Sequence, residues 1–531
     1  MSMRRLALLA TAIAGGLAFA TPASAQAQNT LTIVREVDSD RYDPHRSTAR
    51  AASEVLFMLA DTLVSLDHDM TSIKPGLAES WTVSPDGKVY TFKLRSDVKF
   101  CDGKQMTADD VVYSLKRWID PATRSPVRWR AGPVEDIVAK DATTVEYRLT
   151  APFSELLYQL TQSFAVVIDK ANVEALGADF GVRGFNGTGP YCWGEWRPRN
   201  DMRLRRHDAY RWGPPIYENR GPAHIQEIVW RIVPEENTRL AAVLTGQSQA
   251  TQYVPYSGMA QIRANRNLRI VDNPAAFWTY FIGFKVDKVG VDDAVVRRAM
   301  VMAVDQEAIS RDINFGETEP AYSYIHQTAT DWNKAIDSRL IRTNVAEANR
   351  ILDEAGWVRG ADGFRSKNGV RLSPLAYGFT GSTWQKLMET VQGDLRKIGV
   401  DLRIQLFDAT VAWGKLATQE FDMFGMSFPY ITAGDALNLY FRSTNAPTPN
   451  RMNWKNADTD RLLQSGMTAV SVRQRAQSYG EVLQQVHDAA VWIPLYHEPM
   501  KVAATSRLAP FKAHNIYGCG FYKGLDLRFT R

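Results

Sequence analysis

The chain has 531 residues, enough for several domains and a large core. Apolar residues make up 45% and charged residues 23%, which excludes disordered, collagen-like and simple coiled-coil chains. A formal charge of +5, from 63 basic and 58 acidic residues, is too small an excess for a protein that coats nucleic acid. The 14 Trp, 20 Tyr and 22 Phe supply ring faces for a core and for a pocket that holds organic ligands.

The first 25 residues differ from the rest. Arg4 and Arg5 precede an apolar run from Leu6 to Ala20, and Ala23-Ser24-Ala25 places small residues at both cleavage positions. This pattern predicts a secretory signal cut after Ala25. The run is short for a bilayer core of ~30 Å, and no later stretch reaches the roughly 18 apolar residues of a membrane span. No cysteine follows the run to accept a lipid. The expectation is an exported, periplasmic, soluble chain that is not a lipoprotein. Export permits a disulfide among Cys101, Cys192 and Cys519, and the odd count leaves at least one thiol free. The pairing is open; for Cys101, packing is the simplest role.

Trp81 and Val83 alternate before the turn Ser84-Pro85-Asp86-Gly87, and Tyr90, Phe92 and Leu94 alternate after it, which predicts a hairpin. Thr107 then caps a helix with Asp109 and Asp110 in its first turn and Val111, Leu115 and Trp118 on one stripe. Residues 140 to 260 read as short, mostly antiparallel strands and loops, with Gly187-Thr188-Gly189-Pro190 turning into Tyr191. Leu375–Phe379 predicts a strand. A helix through Trp384 to Ile398 follows, ended by Gly399, and then a strand over Val400 to Leu406. A short helix near 410–418 and a strand over Phe421 to Phe428 complete a strand–helix–strand–helix–strand run, the pattern of a parallel sheet. A helix covers about 473–487, and Val491 to Tyr496 reads as a strand whose Pro494 implies an edge or a crossing point. The chain thus divides into a β-rich first half, an α/β unit near 275–490 and a short tail. No long linker separates them, so an extensive interface with a cleft is expected.

Catalytic signatures are missing: no HExxH, GxSxG or Walker loop. The eight histidines are dispersed, and His326 reads as a surface loop residue. No metal or cofactor is expected. The arginines from Arg197 to Arg206 alternate with Asp201 and Asp208 as a solvated strand pair. Arg128-Trp129-Arg130 combines guanidinium groups with an indole, a pairing that suits an organic anion or a surface arginine beside a buried Trp. Phe428, Pro429 and Tyr430 end a parallel strand, where α/β sheets bind ligands.

Several ordered motifs resemble one family. They are Leu77-Ala78-Glu79-Ser80-Trp81, Phe100-Cys101-Asp102-Gly103, Thr107 to Val111 with Ser114 and Arg117, Gly187 to Tyr191, Asp292-Asp293 with Val296-Arg297, and Ile493-Pro494-Leu495-Tyr496. Together they are similar to the extracytoplasmic solute-binding proteins of the peptide- and nickel-binding cluster, family 5, which serve ABC importers. The resemblance implies an α/β, two-lobed periplasmic-binding-protein-like fold of type II. Residues 26–274 and 491–531 would form the larger lobe, with an inserted subdomain at roughly 50–185, and 275–490 the second lobe. It implies a monomer that takes a peptide or other small solute to ABC permease subunits in the inner membrane, with no chemistry performed. Implied ligand-facing residues are Arg128, Trp129, Trp278, Tyr280, Trp384, Phe428, Tyr430, Thr432 and Asp435. Peptide-binding members hold the peptide's amino group with an aspartate, and Thr432 falls near that position while Asp435 matches a later acidic one. Opine-like, sugar or organic-anion ligands, a role in chemoreception, and an exported enzyme on this scaffold are the alternatives.

Overall fold

The structure, a computed structural model, describes residues 29–530, so the expected signal segment lies outside the described residues. An eleven-stranded mixed sheet runs through the molecule. From one edge its strands are Arg403–Phe407, Leu375–Phe379, Met423–Pro429, Leu268–Phe284, Trp492–Thr505, Ala250–Thr251, Thr30–Arg35, Glu227–Ile232, Asp201–Arg206 and Tyr191–Arg197, and Glu319–Pro320 adds to Trp492–Thr505. Leu375–Phe379 pairs in parallel with both of its neighbours, as the strand–helix alternation predicts. The second strand of that run starts at Arg403, not at Val400: Val400 and Leu402 are buried in the approach to it. Gly399 ends the preceding helix Ser382–Lys397 in a left-handed conformation, φ 79°, where a Cβ would meet the Arg365 side chain.

The two longest strands, Leu268–Phe284 and Trp492–Thr505, pair with each other along almost their whole length. Pairing is regular from Leu268 to Asn273 against Met500 to Thr505, breaks, and resumes from Trp278 against Glu498. Pro274 and Pro499 sit in the break, and neither can donate a ladder hydrogen bond. Pro494 also lies at a register shift, opposite Phe281. Its strand is interior and not an edge, so the proline is accommodated at a bulge in a strand that crosses the molecule.

The fold is two-lobed, and its cores follow the break. One large cluster draws mainly on residues from Leu31 to Ala275 and on Met500 to Leu527, with Ile431 added; two others draw on Phe281 to Tyr496. A separate four-stranded sheet, ordered Ala78–Val83, Val89–Leu94, Thr144–Leu149, Val134–Asp141, contains the predicted hairpin, with Trp81 opposite Phe92 and Val83 opposite Tyr90. Helix Ala108–Ile119 packs on it through Val111, Leu115 and Trp118, and its first turn is closed by a capping box between Thr107 and Asp110.

Cys101 and Cys192 form a disulfide with Cα atoms 5.8 Å apart, while Cys519 is a buried free thiol. Cys101 therefore does more than pack: it ties the loop between strand Val89–Leu94 and helix Ala108–Ile119 to the first residues of Tyr191–Arg197 across 91 residues. Loop closure on this scale restricts the unfolded chain. Replacing both cysteines by serine should lower the unfolding free energy of this lobe by about 2–4 kcal/mol in a urea titration. An unchanged midpoint would show that the bridge contributes nothing to stability.

Candidate functional site

Side chains alternate across a strand, so Trp278 and Tyr280 point to one face of the sheet and Thr279 to the other. Their cross-strand partners Glu498 and Tyr496 point the same way. The Tyr280 and Tyr496 rings stack at 4.3 Å, and Trp384, from the first turn of helix Ser382–Lys397, leans on Tyr280 at 5.4 Å. These rings floor a cavity of about 540 Å³. Other lining comes from Arg50, Arg239 and the segment Gln252 to Tyr256, and from Thr380, Gly381, Thr383 and Trp384. A smaller void beside Trp278, lined also by Arg50, Met500 and Asn515, adjoins it.

Arg50 opens the helix Arg50–Leu59 and turns its guanidinium over the rings of Tyr253 at 4.6 Å and Trp278 at 5.8 Å. Its Nε donates to Gly518 O at 3.0 Å and lies 3.5 Å from Glu54 Oε1. Glu54 is itself occupied by Arg35, Gln252 and the Tyr253 hydroxyl. The two terminal nitrogens of Arg50 make no hydrogen bond to the described residues, and the side chain keeps 20% of its exposure, so they face the cavity. Burial opposes the Arg50 charge, but Tyr253, Glu54 and Glu498 outweigh that, and its pKa is raised. Glu498 accepts from Tyr256 Oη at 2.6 Å. Burial, with the nearby carboxylates, pushes the phenols of Tyr253, Tyr256 and Tyr280 up, so they stay protonated donors.

The described lining contains no histidine or cysteine. His497 points to the opposite face, bonded to Thr279 and held neutral by burial. His326 is buried beside it and donates to or accepts from Glu319 and Thr328, which corrects the reading of a surface residue: the loop carrying it is folded against the sheet. Cys101, Cys192 and His207 come within 4.8 Å of one another, but the two sulfurs are joined and offer no thiolate to a metal.

Of the nine residues expected to face ligand, Trp278, Tyr280 and Trp384 surround this cavity. Arg128 and Trp129 are exposed on a tight turn, and Arg128 lines a separate outer groove with Arg117, Asp120 and Asp136. A 3₁₀ turn has about three residues per turn, so Arg130 faces away from Arg128. Arg130 is buried and meets Asp435 Oδ2 at 3.1 Å. Phe428 packs on Tyr440, and the buried Tyr430 accepts from His326 N at 2.7 Å. Thr432 caps helix Ala433–Phe441 by accepting from Asp435 N at 3.0 Å, and its hydroxyl donates to Glu155 Oε2. Arg50, Tyr253, Tyr256 and Glu498 had no motif to mark them; the one signal was the aromatic alternation that Trp278 and Tyr280 share.

Arg130, Ser154 and Glu155 therefore meet Asp331, Thr432, Asp435 and Arg475 along a buried seam. Arg475 donates to Asp331 Oδ1 and to Ser154 O, each at 2.8 Å, and Ser154 donates to Met467 O and Gly466 O. Burial drives the carboxyls of Glu155, Asp331 and Asp435 up, against the lowering effect of the two guanidiniums.

Residues 72–448, over half the chain, match bacterial extracellular solute-binding proteins, family 5 middle. The glutathione-binding protein GsiB of Salmonella typhimurium is 28% identical over 482 residues, 89% of each chain. NikA from Brucella suis, solved with Fe(III)-EDTA, superposes with a TM-score of 0.84 at 22% identity, covering 94% of this chain and 100% of that one. The periplasmic binding protein DppA from Helicobacter pylori, solved with the peptide STSA, gives 0.80 at 22% identity over 94% and 98%. Among the described residues no helix is long and apolar enough to cross a membrane.

Removing one partner of a buried ion pair strands the other. Arg130→Met should cost about 3–5 kcal/mol in unfolding free energy, and Arg130→Met with Asp435→Leu should recover most of it. A double variant no more stable than the single one would contradict the pairing.

Proposed function

Because the chain belongs to the family-5 bacterial extracellular solute-binding proteins, we propose that it captures a peptide or other small organic solute between its lobes and passes it to an ABC permease. One observation carries this reading: a cavity of about 540 Å³ whose walls come from both sides of the break in the two crossing strands. That volume lies within the range of small-molecule sites. The break at Pro274 and Pro499 is the hinge, with 26–274 and 491–531 in the larger lobe, an insert at roughly 50–185, and 275–490 in the second. Closing the lobes over ligand turns binding into a change of shape that a permease can read, and only a ligand that favours the closed form can drive it. No bond is made or broken. Export by a signal removed after Ala25 would place the chain in the periplasm as a monomer.

Within the cavity, Trp278, Tyr280 and Trp384 offer ring faces to the solute. Arg50 offers two free guanidinium nitrogens, the fork geometry that takes a carboxylate. Arg128, in its outer groove, has no part in this. Glutathione and the peptide STSA, the ligands named for GsiB and DppA, both carry carboxylates, which favours an acidic solute here as well.

Mass spectrometry of solute released from the purified chain should identify an organic acid that raises the melting temperature on re-addition, as mass action requires. Arg50→Gln should weaken its binding by roughly 2–5 kcal/mol, while Arg128→Ala leaves affinity unchanged. The reverse pattern would move the anion site to the outer groove, and turnover of the solute would replace the binding reading with an enzymatic one.

A further inference from the structure

The seam brings together three carboxylates and two guanidiniums, all nearly excluded from water: Glu155, Asp331 and Asp435 against Arg130 and Arg475. If every group were ionised, one negative charge would remain uncompensated in a low-dielectric contact, which is far costlier than taking up a proton. The surplus can be located. Asp331 receives Arg475 Nε at 2.8 Å, and Asp435 receives Arg130 at 3.1 Å together with the Ile431 N–H. Glu155 receives no guanidinium hydrogen bond: its Oε2 meets the Thr432 hydroxyl, and its Oε1 has no hydrogen-bond partner.

A Cβ on Gly434 would stand 2.5 Å from Glu155 Oε1 and 2.5 Å from the Tyr479 ring. The oxygen is thus closed in on that side and has no hydrogen-bond partner among the described residues, so a proton on the carboxyl is the neutraliser that needs no added space.

We propose that the seam is a proton-binding site, formed with one proton held on Glu155. The charged and titratable groups that face this carboxyl are Arg475 and Tyr479 from one helix, Asp331 from the loop against it, Asp435 beside Thr432, and Arg130 behind Asp435. No histidine is among them. Burial, reinforced by Asp331 and Asp435 and opposed by Arg475, pushes the Glu155 carboxyl up to about 7. A glutamate in water titrates near 4.3, and parting the seam would return Glu155 toward that value. Between these values the formed seam binds one more proton than the parted one. Forming it is therefore favoured as pH falls through about 7, by up to roughly ten-fold per pH unit, and the gain ends near 4.3. Its consequence for transport, tighter lobe closure in mildly acidic surroundings, rests on the solute-capture reading.

The test uses the full chain without ligand, so it stands apart from whether a solute is found. The infrared difference between wild type and Glu155→Gln at about pH 6 should show a protonated-carboxyl band that fades above about pH 8. Asp331→Asn, which removes a neighbouring negative charge, should move that midpoint toward acid. In scattering, the wild-type radius of gyration should grow between about pH 6 and about pH 8.5, while Glu155→Gln stays constant. Identical carboxyl bands in wild type and Glu155→Gln, a band that follows sodium concentration in place of pH, an unmoved midpoint in Asp331→Asn, or a radius with the same pH response in both chains would overturn the proposal.

Discussion

The pairing of Leu268–Phe284 with Trp492–Thr505 is the constraint on which the rest of the molecule depends. Two strands of this length bind both halves of the sheet into one body, yet the ladder is interrupted where Pro274 and Pro499 cannot contribute to it. Ladder hydrogen bonds run on either side of the interruption, which makes it the place where the proposed bending would fall. The same two strands present Trp278, Tyr280, Tyr496 and Glu498 immediately beyond the break. The floor of the cavity and the axis of the proposed motion are thus made of one piece of backbone.

Two different kinds of contact span the lobes. Over the crossing strands the surfaces stand apart, leaving a cavity with ring faces and the free end of Arg50. Along the seam they touch and dehydrate charged groups, with Gly434 letting backbone approach Glu155 closely. The open contact leaves room for a guest, whereas the dry one buries its charged groups. If the proposed closure brings both together, charge state at the seam and occupancy of the cavity would bear on the same conformational equilibrium.

Much of the fold was legible because local chemistry and tertiary packing agree. Thr107 with Asp110, the turn at Ser84 to Gly87, and the alternation around Leu375 each state their structure within a dozen residues. Pro494 leaves an edge and a crossing point both open because the ladder rule is local, while the bulge that tolerates it is made by a partner more than 200 residues away. The site was less legible for a related reason. Arg50, Tyr253, Trp384 and Glu498 are spread over most of the chain and meet only through the sheet order. Arg128 and Arg130 look equivalent in the sequence, but the turn that carries them sends one to solvent and the other into the seam. The Thr432 departure was visible, while its partner Glu155 was not, since nothing near residue 155 announces a buried carboxylate.

The central claim is that the lobes close on a solute about the break in the crossing strands. Spin labels on Gln261→Cys and Glu389→Cys, exposed positions on opposite sides of that break, give the interlobe distance directly. The account predicts a longer, broader distance distribution once the co-purified solute is stripped away, and a shorter, narrower one when it is returned. A single distance indifferent to the solute would contradict it.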